Sequence, residues 1–515
     1  MIDRDEMRRL ETEERAMALN PEATLRRRDF LRRTAYTAGA ATAAAVLPAE
    51  VLLREAAKAS TAAAMPSPSN MPVDHFVVLM QENRSFDHYL GWMEDVDGMQ
   101  AGLQYPDPEA AGALKPTHRL APDWQGCGHP DPDHSWDGGR AQVNSGAMDG
   151  FLHGHNDEFV IGYYEEPDLP FLPSVAQEFL ICDRYFCSLL GPTIPNRCYQ
   201  WAAQSDGLKD NTSIISSAAQ QGGFPWPNIF DRLREAGLSA RYFASDIPAS
   251  LLWGPRMLQH TGTVAEYYAR AASGTLPNVS FVDLLFGASF SGEPNGVSAD
   301  EHPHGDIRTG QAFMSDVVHA FMNSPNFERG AMFVNYDEWG GFFDHVAPPL
   351  LPATSDNHSA TGFNQVGIRV PGVIVSPYVK RHKVSSFPYD HASILALIEY
   401  RFGLQPLTAR DGAALTKTHP GLVGANDLAN IGLAFDFGHP NFDIPDLPDP
   451  ATVVSKPCAT SPTTDGVDVP PEAPHEELRA MVSSGYLESV GFQYEPPALG
   501  DVFSSPDSIR KGLGI

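Results

Sequence analysis

Cysteine is scarce in this chain, with 5 residues in 515. That is too few for a disulfide-stapled scaffold, and an odd count leaves at least one thiol unpaired unless a second chain supplies a partner. Basic residues are outnumbered too, 36 Lys+Arg against 64 Asp+Glu, for a formal charge of −28. A phosphate-backbone binder relies on clustered Lys and Arg to release counterions, so the balance argues against nucleic acid as a partner. The same acidity opposes anionic lipid headgroups, leaving apolar loops or zwitterionic headgroups as the routes to a lipid surface. Long apolar runs are missing: the Ala-rich, uncharged stretch Thr34 to Leu47 is too short and too weakly apolar for a stable transmembrane anchor. No internal repeat at solenoid spacing occurs. What is present is 42% hydrophobic residues, enough for a large buried core and too many for a disordered chain.

The N-terminus reads as an address. Arg26-Arg27-Arg28-Asp29-Phe30-Leu31 is followed by the Thr34 to Leu47 stretch and Pro48, the order of a twin-arginine export signal. Ala57-Lys58-Ala59 and Ala62-Ala63-Ala64 are alternative cleavage sites, so residues 1–59 form the signal and cleavage region with an end between 59 and 64. The expected partner is the twin-arginine export machinery and the expected location is periplasm, cell envelope or extracellular space. Residues 1–59 hold 11 of the Lys+Arg and 10 of the Asp+Glu, so cleavage leaves the acidic balance almost unchanged. Resemblance to such signals implies cargo that crosses already folded, often with metal in place. The cysteines read mostly as buried small hydrophobes, with a bridge from Cys182 to Cys187 or Cys198 as the pairing to look for.

From residue 73 to about 405, apolar runs alternate with helical patterns. His75 to Met80, Ser239 to Phe243, Val279 to Val282, Met332 to Val334 and Val370 to Ser376 are predicted buried strands. Pro227 to Ala236, Gln311 to Met322 and His391 to Phe402 are predicted helices. Strands separated by helices predict an α/β fold with a mostly parallel sheet covered on both faces. Residues 73–435 are assigned to one catalytic domain. Residues 436–515 form a Pro-rich extension, with nine prolines between 440 and 475 and one predicted helix over Glu476 to Gly491.

Polar clusters follow the strands directly. The first runs into Gln81-Glu82-Asn83-Arg84, and the one at Met332 runs into Tyr336-Asp337-Glu338-Trp339. Ligands of open α/β sheets bind at the carboxyl ends of strands. Glu82, Asn83, Asp337 and Glu338 are therefore candidate ligands of a divalent metal; their oxygen donors favour a hard cation such as Ca²⁺, Mg²⁺ or Mn²⁺, with Zn²⁺ not separated from these. Gly191-Pro192-Thr193-Ile194-Pro195-Asn196-Arg197 reads as a turn into a helix N-terminus, suited to phosphate, with Thr193 as candidate nucleophile and Asn196 and Arg197 near the phosphoryl oxygens. His302 and His304 of Glu301-His302-Pro303-His304, His134 of Asp133-His134-Ser135 and His345 of Asp344-His345 are candidates for proton transfer or phosphoryl binding, in that order.

Taken together, VLMQENRSFDHYLG (78–91), DPDHSW (131–136), FCSLLGPTIPNR (186–197), EHPHGD (301–306), DEWGGFFDHV (337–346) and RVPGVIVSPY (369–378) resemble the phosphoesterase family of bacterial phospholipases C, plant non-specific phospholipases C and related acid phosphatases. The resemblance implies a three-layer α/β/α core of the alkaline-phosphatase type. It also implies metal-assisted phosphoryl transfer through a phosphothreonine on Thr193, with Glu82, Asn83, Asp337 and Glu338 on the metal and His134, His302 and His304 at the phosphoryl group. A phosphoester or phospholipid is the implied substrate. A broad-specificity acid phosphatase, acting on monoesters, and a catalytically silent envelope binding protein are the alternatives. The TIPNR segment also resembles the sulfatase pattern, but Thr cannot supply the formylglycine a sulfatase needs. Bacterial relatives with further C-terminal β-rich domains are the departure, since the Pro-rich tail leaves little room for them.

Overall fold

Seven residues, His75–Gln81 (β1), begin the ordered sheet, and all but the first are buried. Strands buried on both faces carry continuous apolar runs rather than alternating ones. Gly330–Tyr336 and Val279–Asp283 are buried along their whole length. The computed structural model describes residues 64–287, 298–453, 458, 475–497 and 502. The export segment lies outside them.

Along the chain follow Leu180–Cys182 (β2), Ala240–Ala244 (β3), Thr261–Thr263 (β4), Val279–Asp283 (β5), Gly330–Tyr336 (β6), Gly372–Val375 (β7) and Lys383–Ser385 (β8). They form one eight-stranded sheet in the order β8-β2-β7-β6-β1-β5-β3-β4. Neighbours are parallel except at β7, which runs antiparallel to both β6 and β2. The α/β class and mostly parallel sheet agree with the sequence pattern, and every predicted strand is present. The direction of β7 has a simple cause. Residues 337–371 leave β6 and return beside it without a crossover helix, so β7 starts at the carboxyl end of β6.

The helices used below are Phe86–Leu90 (α1), Trp136–Val143 (α2), Thr193–Ala202 (α3), Ile229–Glu235 (α4), Ile307–Met322 (α5), His391–Phe402 (α6) and Glu476–Ser483 (α7). Side-chain caps set several starts. Ser135 accepts from the Gly138 amide, Asn228 from that of Asp231, and Asp390 from that of Ser393. α5 begins four residues before the apolar pattern predicts because Asp306 caps it. The predicted terminal helix is split instead: Gly485, at φ 73°, ends one turn before Tyr486–Ser489 begins. Residues 440–453 carry neither helix nor strand. Among the described residues no helix is long and apolar enough to cross a membrane.

The expected Cys182 bridge is not formed. Cys127 pairs with Cys458, 331 positions away, while Cys182, Cys187 and Cys198 are free and buried. Each free thiol is packed in the core, Cys182 on β2 and Cys198 on α3, and the Cys187 Sγ donates to the Leu189 carbonyl at 3.4 Å. Burial pushes all three thiols above their ordinary pKa.

A buried arginine ties β7 to the start of the chain. Arg369 donates to Asp344 Oδ1 at 2.9 Å, to Asp87 Oδ1 at 3.1 Å and to the carbonyls of Asp97 and Asp183 at 2.6 and 2.9 Å. Its own carbonyl accepts from the Phe86 amide at 3.0 Å. Removing one partner of a buried ion pair strands the others. Arg369→Ala is expected to lose about 3–5 kcal/mol of unfolding free energy, read from urea denaturation.

Candidate active site

Strand register brings the carboxylates together. Gln81 of β1 is level with Tyr336 of β6, and Met80 with Asp283 of β5. The next residues along β1 and β6 are Glu82 and Asp337, so three acids from neighbouring strands meet at one sheet end. All three are buried. They share the guanidinium of Arg197, whose Nη1 donates to Asp283 Oδ1 at 2.5 Å and whose Nε donates to Glu82 Oε1 at 3.1 Å and lies 3.5 Å from Asp337 Oδ2. Burial works against the Glu82 carboxylate, but His475 and Arg197 outweigh it and hold its pKa at about 2. Burial, with the nearby Glu82 charge, raises Asp337 well above the usual carboxylate range.

Asn83 and Thr193 close over this cluster. Asn83 adopts φ 59°, a left-handed conformation that Asn tolerates better than most residues. Its amide donates to Asp337 Oδ1 at 3.1 Å, and its Oδ1 accepts from Thr193 Oγ1 at 3.4 Å. Thr193 is the first residue of α3, 2% exposed. The helix N-terminus therefore points its positive end toward the same place. Gly340, at φ 62°, packs on this corner: a Cβ there would lie 2.1 Å from the Asn83 carbonyl oxygen.

Two of the predicted histidines meet at Asp131. His134 Nε2 is 3.8 Å and His302 Nε2 4.0 Å from Asp131 Oδ2, and the two rings are edge to face with centroids 5.6 Å apart. His134 Nδ1 also pairs with Glu338 Oε1, while Glu338 Oε2 accepts from the Gly340 amide at 2.7 Å. Burial lowers the His134 pKa, but Glu338 and Asp131 raise it well above the ordinary value. His304 stands apart from the pair, its Nε2 bonded to the His129 carbonyl at 3.0 Å. Burial lowers its pKa.

Three expected substrate contacts take other work in the structure. Asn196 spends its side chain on the turn ahead of α3, accepting from the Leu189 amide at 2.8 Å and donating to the carbonyls of Leu189, Gly191 and Pro192 at 3.1, 2.8 and 3.2 Å. Arg197 is fully buried among carboxylates. His345 belongs to the Arg369 cluster, with Nδ1 2.5 Å from Asp87 Oδ2 and Nε2 3.4 Å from Asp97 Oδ1. Burial opposes its charge, yet Asp87 and Asp97 lift its pKa to about 10.

Sequence reasoning passed over several residues. Asp283 directly follows the predicted strand Val279 to Val282 and ends the observed β5, so strand-end position was a usable signal. Asp131 opens the DPDHSW motif and Asp300 immediately precedes EHPHGD. His391 Nε2 lies 2.7 Å from the Asp337 carbonyl, and its ring, kept neutral by a burial-lowered pKa of about 3, begins α6. His475, from beyond the matched motifs, sits 3.1 Å from Glu82 Oε2 and 2.9 Å from Asp300 Oδ2.

The donor set suits a hard divalent cation. Asp337 Oδ2 is buried and accepts no hydrogen bond. Glu82 Oε1 and Asp337 Oδ2 share the Nε of Arg197, Asn83 Oδ1 accepts from Thr193 Oγ1, and Glu338 is next to Asp337 along the chain, so the donors these residues offer are oxygens, the ligand type that Mg²⁺, Ca²⁺ or Mn²⁺ prefers.

A model described as "Phosphoesterase family" matches residues 73–405. A non-hemolytic phospholipase C of Burkholderia pseudomallei is 30% identical over 493 residues, covering 82% of this chain and 67% of its own. The non-specific phospholipase C6 of Arabidopsis thaliana is 31% identical over 383 residues, covering 67% of this chain and 71% of its own. Phospholipase C B of Mycobacterium tuberculosis is 31% identical over 397 residues, covering 66% of this chain and 75% of its own. Among solved structures, a Vibrio parahaemolyticus protein of the alkaline phosphatase superfamily aligns at 11% identity and TM-score 0.35, covering 87% of this chain and 97% of its own.

Two measurements probe the site's support. Gly340→Ala, by pushing Asn83 out of place, is expected to lower turnover about a hundredfold in a steady-state assay while the circular dichroism spectrum is retained. The second concerns Glu301, a buried acid that accepts from Gln311 Nε2 at 2.8 Å and Tyr336 OH at 2.9 Å. Burial raises its pKa from 4.5 to about 7. The folded chain thus holds this proton more tightly than the unfolded one, and the associated stability, full below pH 4.5, is lost as pH rises to 7. Unfolding free energies of Glu301→Gln are expected to lack that decline, on the order of 3 kcal/mol.

Proposed function

Because this chain belongs to the Phosphoesterase family, whose model matches residues 73–405, we propose that it is an exported, metal-dependent phosphodiesterase of the phospholipase C type, releasing a phosphorylated headgroup from a phospholipid. The observation that carries the reading is the meeting of Thr193, at a helix N-terminus, with a buried oxygen-donor cluster and a histidine pair. The phospholipase C names of the similar proteins support the substrate class. The twin-arginine sequence supports export.

In this reading Glu82, Asn83, Asp337 and Glu338 hold the divalent cation. When bound, that cation withdraws charge from the phosphoryl oxygens and favours the ionised hydroxyl. Thr193 Oγ attacks phosphorus in line with the leaving alcohol, forming a phosphothreonine and breaking the P–O bond to the alcohol. The positive end of α3 faces the oxygens that gain charge. His134 and His302, turned toward Asp131, supply the proton that the departing alkoxide takes up. The same imidazole then accepts a proton from the water that cleaves phosphothreonine, restoring Thr193.

Charge favours a diester. Arg197 is engaged by Glu82, Asp283 and Asp337, and Arg84 by the Glu301 carbonyl and His88. A monoester dianion calls for an additional uncommitted cation; a diester monoanion does not. Hydrolysis of 4-nitrophenylphosphorylcholine is expected to exceed that of 4-nitrophenyl phosphate by about tenfold or more in kcat/KM. Thr193→Ala is expected to lower both rates by roughly a thousandfold or more and to abolish the phosphorylated species in quenched intact-mass spectra. A preference for the monoester would transfer the reading to a broad-specificity acid phosphatase. Full activity of Thr193→Ala would remove the nucleophile assignment.

A further inference from the structure

His475 reaches the catalytic centre from the C-terminal extension, well past the end of the family match at residue 405. It precedes α7 and follows a sequence rich in prolines and polar residues. Its side chain is nevertheless 5% exposed. The backbone there takes φ 63°, a left-handed conformation disfavoured for a residue with a side chain, which surrounding contacts must hold in place.

Those contacts lie in the site. Nε2 is 2.9 Å from Asp300 Oδ2 and 3.1 Å from Glu82 Oε2. The ring stands edge to face against His302 and Phe286, with centroids 5.0 and 5.1 Å away. The two carboxylates come from different places in the fold: Glu82 directly follows β1, and Asp300 lies in the loop before α5. Backbone already joins them, since the Glu82 amide donates to the Asp300 carbonyl at 3.0 Å. Asp300 Oδ1 in turn accepts from the His302 amide at 3.0 Å and from Ser298 Oγ at 2.8 Å. One imidazole thus faces the remaining oxygen of both acids, separating like charges that would otherwise repel in a buried place. The extension is anchored on both sides of it. Thr309 Oγ1 donates to the Val453 carbonyl, Cys458 is bonded to Cys127, and Tyr486 OH donates to the Leu251 carbonyl at 2.8 Å.

We propose that His475 is a positioning residue of the catalytic centre, supplied by the C-terminal extension, that orients Glu82 toward the cation and ties it to the loop carrying His302. The proposal rests on Glu82 being a cation ligand, as read above. It acts through Glu82 rather than on the substrate, so its signature is a changed demand for metal.

The test uses the full chain as wild type, His475→Ala, His475→Gln, Glu82→Gln and, as a control on the exposed face of the same extension, Glu488→Gln. Mn²⁺ binding is titrated calorimetrically, and 4-nitrophenylphosphorylcholine hydrolysis is measured across the same Mn²⁺ range. His475→Ala is expected to raise the Mn²⁺ midpoint about tenfold or more in both measurements while kcat at saturating Mn²⁺ returns close to wild type. His475→Gln, which keeps a donor, is expected to fall between, and Glu488→Gln to match wild type. A wild-type midpoint in His475→Ala beside a shifted Glu82→Gln would overturn the proposal, as would a lowered rate that Mn²⁺ does not restore. An unshifted Glu82→Gln would instead overturn the ligand reading beneath it. If His475→Ala fails to fold, the midpoint of His475→Gln decides alone, a wild-type value counting against the proposal.

Discussion

A single buried guanidinium, that of Arg197, allows three carboxylates to occupy one end of the sheet. Glu82, Asp283 and Asp337 reach that end because β1, β5 and β6 are adjacent, parallel and in register. Without a counter-charge, that register would place like charges together in a region closed to water, where their repulsion is least screened. Arg197 belongs to α3, the helix that begins at Thr193. The ion pairs that make the acids tolerable therefore also fix the helix carrying the candidate nucleophile. Sheet register, acid placement and hydroxyl position are one linked arrangement.

The second buried arginine does different work. Arg369 joins Asp87 and Asp344, which follow the same two strand ends as Glu82 and Asp337 but farther along the chain, Asp87 in α1. Its cluster fixes the loops, and that of Arg197 fixes the acids at their base. The antiparallel β7 makes this division available, because a strand that starts at the catalytic end delivers Arg369 there directly. Both guanidiniums are spent on protein carboxylates, which in the proposed reaction leaves phosphoryl charge to be met by a cation, by the N-terminus of α3 and by imidazoles. That distribution suits an anion of single charge.

Much of this was legible in the residues. Continuous apolar runs marked β1, β5 and β6, since strands buried on both faces have no polar alternation, and acids directly after such runs marked Glu82 and Asp337. The rule extends to Asp283, the last residue of β5, which it would have found. The roles of Arg197 and Asn196 were not legible, because a side chain at a helix start can point outward to a ligand or inward to the turn, and only packing decides. His345 was misplaced for a related reason: its neighbour Asp344 pairs with an arginine 25 positions later. His475 gave no local signal at all. The chain before it has no periodicity, and its partners stand at 82 and 300.

The bond between Cys127 and Cys458 closes 331 positions into a covalent ring. The ring holds β2 through β8 and every helix from α2 to α6, but β1 lies ahead of it. A cut in an exposed loop inside the ring would leave one linked molecule, with Thr193 and Asp337 still joined through the disulfide in any oxidising compartment. A cut in the exposed stretch at 109–114 would be different, because β1, with Glu82 and Asn83 behind it, would then be retained only by non-covalent contacts, among them its ladder and the buried ion pairs. The covalent closure protects the part of the site that arrives late in the chain and leaves Glu82 and Asn83 to non-covalent contacts.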